Sequence, residues 1–106
     1  MQDISLRAPH TSLSLRSRVV RSQDQVSCDL AGEIIILELG AGVYYGLNKT
    51  GSRIWELLES PVPASSLQDA LLRDFDVEPE RCERDLLALL EDLASAGLVH
   101  VCDEVC

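Results

Sequence analysis

Four cysteines, two histidines and eighteen carboxylates are the groups in this 106-residue chain that could hold a metal, attack a carbonyl or move a proton. Their spacing argues against each of those chemistries. Cys28, Cys82, Cys102 and Cys106 form no Cys-x-x-Cys pair, and the histidines available to complete a zinc site are His10 and His100, one near each end of the chain. The nearest pair, Cys102 and Cys106, occupies the last five residues, where chains fray. Cys28 and Cys82 are expected to be small buried apolar residues. No Gly-x-Ser-x-Gly elbow, phosphate-cradling glycine loop or His-Glu-x-x-His helix occurs, so the set of nucleophile, base and orienting group that an enzyme needs is missing. The chain therefore reads as non-catalytic, with no metal and no cofactor.

What stands out instead is aromatic. Both tyrosines and the single tryptophan fall within "GVYYGLNKTGSRIWELLE", residues 42–59. Val43, Tyr45 and Leu47 alternate with Tyr44 and Gly46 as in a strand, whereas Ile54, Trp55, Leu57 and Leu58 follow a helical period. "VYYGL" has no lysine, proline or bulge to protect a sheet edge, and tyrosine offers broad contact area with a polar tip. Such a strand suits peptide recognition by strand addition, and equally suits ordinary cross-strand packing.

The elements that must position this strand follow from local signals. "SRVVRS" (17–22) reads as a short edge strand, "EIIILEL" (33–39) as a buried one, and "GAG" (40–42) as a three-residue hairpin loop into "VYYGL". Asn48 is placed to cap a first helix, with Gly51 allowing close packing in its first turn; "SPVPA" ends that helix. Ser65 and Gln68 fit a capping box opening a second helix with Leu67, Leu71 and Phe75 buried. Pro79 suits the first position of a third helix over 79–96, Gly97 its C-cap, and "LVHV" (98–101) a closing strand. On the third helix Cys82, Leu86, Leu89 and Leu93 form a core stripe. Leu87, Leu90 and Ala94 widen it to one side, either to meet the other helices or to wall an apolar groove opposite residues 43–47.

Length and composition describe one domain: 46% of residues are apolar and 25% charged. We divide it into a flexible tail (1–16), a folded region (17–101) and a C-terminal tail (102–106). No secretory signal or membrane-length apolar run is present, so the expected location is the cytoplasm. The net charge of −9 is unevenly spread: residues 1–22 carry +3 and residues 23–106 carry −12. The acidic body is either a solvated surface or a field that steers a basic partner, and it disfavours nucleic acid.

"DLAGEIIILELGAGVYYGLNKTGSRIWELLE", with "LLRDFDVEPERCERDLLALLEDLASAGLV", resembles the PqqD family of peptide-recognition domains, the RiPP recognition elements. The resemblance spans residues 18–101. It is carried most specifically by "YYGLN-x-TG-x-x-IW" (Tyr44–Trp55), supported by "L-x-x-x-GLV" (Leu93–Val99). It implies an α+β, winged helix-turn-helix-like fold, with a three-stranded antiparallel sheet followed by three helices. It further implies that a precursor's leader peptide adds beside the third strand, against the third helix. Carried onto this chain, the strand side is Val43, Tyr44, Tyr45, Gly46 and Leu47, and the helix side comes from Glu83, Asp85, Leu87, Leu90 and Ala94. Asp85, at the family's acidic position, would pair with a basic leader residue.

The implied role is an adaptor that delivers the leader to a separate maturation enzyme, either a leader protease as in lasso peptide clusters or a radical enzyme as in pyrroloquinoline quinone synthesis. We prefer the lasso class. The open edge also offers itself to homodimerisation. A winged-helix DNA regulator is the alternative, but Glu80, Glu83, Asp85, Glu91 and Asp92 outnumber Arg81 and Arg84 on the third helix.

Overall fold

The computed structural model describes residues 13–102, excluding the Cys102 side chain. The elements are β1 (Arg18–Arg21), β2 (Gln25–Leu30), β3 (Glu33–Glu38), β4 (Val43–Leu47), α1 (Lys49–Leu57), β5 (Val62–Pro63), α2 (Ala64–Asp74), α3 (Pro79–Ser95) and β6 (Val99–Cys102). They form an antiparallel meander in the order β2-β3-β4 and a second small sheet in the order β5-β1-β6. The α+β class, with three antiparallel strands in a sheet and three helices, is as expected.

The membership of the meander differs from expectation. Its first strand is 25–30, not 17–22. Residues 18–21 pair instead with β6, Val19 opposite Val101 and Val20 opposite His100, which leaves Val19 fully buried. A two-residue turn joins β2 to β3 with Ala31 at φ 57° and Gly32 at φ 88°, and Asp29 Oδ1 accepts from Gly32 N at 2.8 Å. The β3–β4 loop has four residues (39–42) rather than three. The Glu38 carboxylate satisfies it, accepting from Gly40 N and Ala41 N at 3.0 and 2.7 Å.

Asn48 caps α1 as expected, its Oδ1 accepting from Gly51 N at 2.9 Å. The Ser65–Gln68 capping box does not form. The free amides that open α2 are taken by the preceding chain: Ala64 N donates to Ser17 O and Ser65 N to Leu15 O. Gln68 donates across to Pro79 O. For the same reason the flexible tail expected over 1–16 does not include 13–16, where Leu13 and Leu15 pack against the core. Residues 1–12, and 103–106 of the C-terminal tail, lie outside the described residues; Cys102 is the last residue of β6.

Pro79 opens α3, and Gly97 at φ 78° closes it, with Leu98 N donating to Leu93 O and Gly97 N to Ala94 O. Trp55 is fully buried and joins the two sheets. Its ring nitrogen donates to Ser27 Oγ on β2, while Arg21 on β1 donates twice to the Trp55 carbonyl and lies 4.8 Å from its ring centroid. Cys82 is buried as expected, but Cys28 is exposed. Strand alternation puts Cys28 opposite Ile35, on the face of the meander turned away from the core.

Candidate functional site

Strand β4 lies at the edge of the meander. Its inner edge is fully paired to β3, from Ile34 opposite Leu47 to Glu38 opposite Val43. Among the described residues its outer edge pairs with no strand, leaving backbone donors and acceptors open to an added chain. Leu47 is buried and Tyr45 half-buried on the core side, while Tyr44 projects outward, 69% exposed. The strand is held in place from behind. Buried Ser52 accepts from Ile34 N at 2.9 Å and donates to Leu47 O at 3.1 Å, so one hydroxyl ties α1 to both β3 and β4. Gly51 allows this approach, because a Cβ there would stand 3.4 Å from the Leu47 side chain.

Where β4 runs into α1, a cavity of about 640 Å³ opens between that junction, the end of α2 and the first half of α3. Gly46, Leu47, Asn48, Thr50, Gly51 and Ile54 form one wall; Leu71 and Phe75 close the end. The opposite wall is Arg81, Cys82, Asp85, Leu86 and Leu89, with the 76–78 loop at the rim. Arg53 braces this frame, donating from α1 to Asp74 on α2 at 2.8 Å.

Of the ten residues expected to form the site, the cavity brings together Gly46, Leu47 and Asp85. Val43, Tyr44 and Tyr45 lie farther up the same edge strand. Glu83, Leu87, Leu90 and Ala94 are not part of the cavity wall. At ~100° per residue they centre about 140° around α3 from the stripe that lines it. Leu90 is fully buried, and Leu87 and Ala94 pack partly buried against the core, so this flank serves the interior. Beyond Asp85, α3 lines the cavity with Arg81 and with Cys82, Leu86 and Leu89, the last three belonging to the stripe the sequence assigns to the core. Cys82 and Leu86 are indeed buried, and they line the cavity as well. The breadth of the apolar surface on α3 is legible in the sequence; which of its flanks faces β4 is not.

The rim is acidic. Asp76, Glu78 and Asp85 stand there against Arg81, whose Nε lies 3.6 Å from Asp85 Oδ2; both side chains are more than two-thirds exposed, so that pair is weak. Burial, and secondarily the Asp85 charge, push the Cys82 thiol up, which keeps it protonated and a poor nucleophile at neutral pH. Among the described residues no group of three histidines, cysteines or carboxylates gathers as a metal site, and no helix is long and apolar enough to cross a membrane. The arrangement is chemically suited to receiving an extended chain with an apolar side chain beside a polar or basic one.

Comparison with known proteins bears on this geometry. A family model described as coenzyme PQQ synthesis protein D (PqqD) matches residues 33–99. TbiB1, solved in complex with the TbiA(beta) leader peptide, is 36% identical, covering 76% of this chain and 94% of that one, with a TM-score of 0.72. A lasso peptide synthetase B1, complexed with the leader peptide, shares the fold at 22% identity and a TM-score of 0.69, covering 77% of this chain and 96% of that one. A search of curated proteins finds no match. The matched segment, from the first residue of β3 to the first of β6, includes the edge strand, the cavity and helices α1, α2 and α3: the chain belongs to the PqqD family.

Proposed function

We propose that this chain is a non-catalytic adaptor that binds the leader segment of a ribosomally made precursor peptide and delivers it to a separate maturation enzyme, in lasso peptide or related natural-product synthesis. The leader adds as an antiparallel strand along the open edge of β4, and apolar side chains on its inner face enter the cavity between the β4–α1 junction and α3. The observation that carries this reading is the continuity of a free strand edge with an apolar cavity. The 36%-identical relative solved with a leader peptide supports it. On α3 the residues engaged are Leu89 and Asp85, with Cys82 and Leu86 beneath, in place of Glu83, Leu87, Leu90 and Ala94. Val43, Tyr44 and Tyr45 contribute chiefly through their backbone edge.

The test is a calorimetric titration of the chain with the leader peptide encoded beside it. Micromolar or tighter binding, worth about 8 kcal/mol or more, is expected. Absence of heat with a well-folded protein overturns the proposal.

A further inference from the structure

The meander is apolar on both faces. Alternation and register place Ile34, Ile36 and Leu47 toward the core, and therefore Val26, Cys28, Leu30, Ile35, Leu37 and Tyr44 on the opposite face. An antiparallel sheet with one solvated face normally carries polar side chains there. Here Val26, Leu30 and Tyr44 are 54%, 59% and 69% exposed, Cys28 is exposed as well, and Ile35 and Leu37 fill the space between them. Glu33 is the one charged residue on this face within the three strands, in a chain of net charge −9. A contiguous apolar patch with so little charge marks an interaction surface.

Resting on the reading of the β4 edge as the leader's seat, we propose that this outer face docks the maturation enzyme through an apolar, sparsely charged surface. Two observations select that occupant. The patch is continuous with the β4 edge, through Tyr44 on that strand. A peptide strand added there turns every second side chain onto this same face, so a protein seated on it touches adaptor and leader together. A second copy is disfavoured because two bodies of charge −9 repel, and the patch has no basic residue to offset them. Apolar complementarity also makes the contact insensitive to salt, unlike one driven by the acidic body.

The test uses Val26→Lys with Leu30→Lys, both on β2, the strand farthest from the β4 edge. Leu30→Lys alone provides a milder second variant. Wild type and variants are compared by circular dichroism, by calorimetry with the leader peptide, by sedimentation velocity alone, and by binding and leader processing with the purified maturation enzyme encoded beside the chain. The expected result is a folded monomer, leader affinity within about twofold of wild type, and enzyme binding weakened about tenfold or more by the double variant. Unchanged enzyme binding and processing overturn the proposal. A wild-type dimer that the lysines dissolve also overturns it, since the face then serves a second copy. If wild type binds no leader at all, the failure belongs to the adaptor reading instead.

Discussion

Replacing Leu89 by glutamate puts a carboxylate on the α3 wall of the cavity, where the leader's apolar anchor is proposed to sit. Leu89 is half-buried in the free protein, and an occupied cavity would bury the remainder. Fully burying a leucine side chain is worth about 1.5–3 kcal/mol, of which only the still-exposed part is gained on binding. The larger effect is the carboxylate, which must be desolvated against an apolar ligand and beside the acids of the rim. Together these amount to about 2–3 kcal/mol, roughly a 30- to 150-fold rise in Kd. Leu87→Glu is the matched control. It sits on the same helix at a similar degree of burial and, like Leu89, packs against the core, but it lies outside the cavity wall. It should lower stability by about 1–3 kcal/mol while leaving Kd within about twofold, because a carboxylate there disturbs the interior and not the cavity. Calorimetry well below both melting temperatures separates the two effects. If Leu87→Glu abolishes binding and Leu89→Glu spares it, the leader lies on the other side of α3 and the cavity assignment is wrong.

Ser52→Ala strands the Ile34 amide and the Leu47 carbonyl in the interior, and should cost about 1–3 kcal/mol by chemical denaturation. Because it also frees β4 from α1, leader affinity should fall with it. A leader whose basic residue nearest the rim is changed to glutamate should bind about two- to tenfold more weakly at low salt, with the gap shrinking in 0.5 M NaCl; indifference to that change would remove Asp76, Glu78 and Asp85 from the contact. Cys28 should react quickly with a thiol reagent and Cys82 only on unfolding. The Cys82 thiol titrates higher folded than unfolded, so its contribution to stability is intact below the ordinary thiol value of 9.0 and is lost as pH rises above it, visible as a falling melting temperature that Cys82→Ala flattens.

The parts of the fold that were legible in the sequence are those decided by neighbouring residues. Asn48 caps α1 because its side chain reaches an amide three residues on, and Pro79 and Gly97 bracket α3 through their own backbone preferences. The parts that were not legible depend on distant chain. Arg18–Arg21 resemble any short strand, and only the arrival of Val99–Cys102 some eighty residues later draws them out of the meander. Ser65 has a capping residue's chemistry, but Leu15 and Ser17 reach the helix amides first. Cys28 looks like a core residue until the register of β2 turns it outward. On α3 the helical period identified a broad apolar surface without its hand. Which flank faces β4 depends on how α2 and β6 pack against the helix, and no spacing within 79–95 encodes that.

The division of labour between edge and cavity follows from magnitudes. A leader segment paired along the five residues of β4 loses about 1–2 kcal/mol of backbone entropy per residue, roughly 5–10 kcal/mol in all. Each edge hydrogen bond returns only about 0.5–1.5 kcal/mol net, because the free strand and the free peptide are already bonded to water. The edge therefore does not offset its own entropy cost and cannot by itself hold a peptide at micromolar concentration. Affinity must come from the cavity, whose 640 Å³ accommodates more than one apolar side chain at about 1.5–3 kcal/mol each when fully buried. The edge sets register, deciding which leader residue faces the cavity and which turn onto the outer sheet face. A leader with its apolar anchor moved by one position should thus lose nearly all affinity, since a one-residue slip sends that side chain to the wrong face. Moving it by two should cost much less.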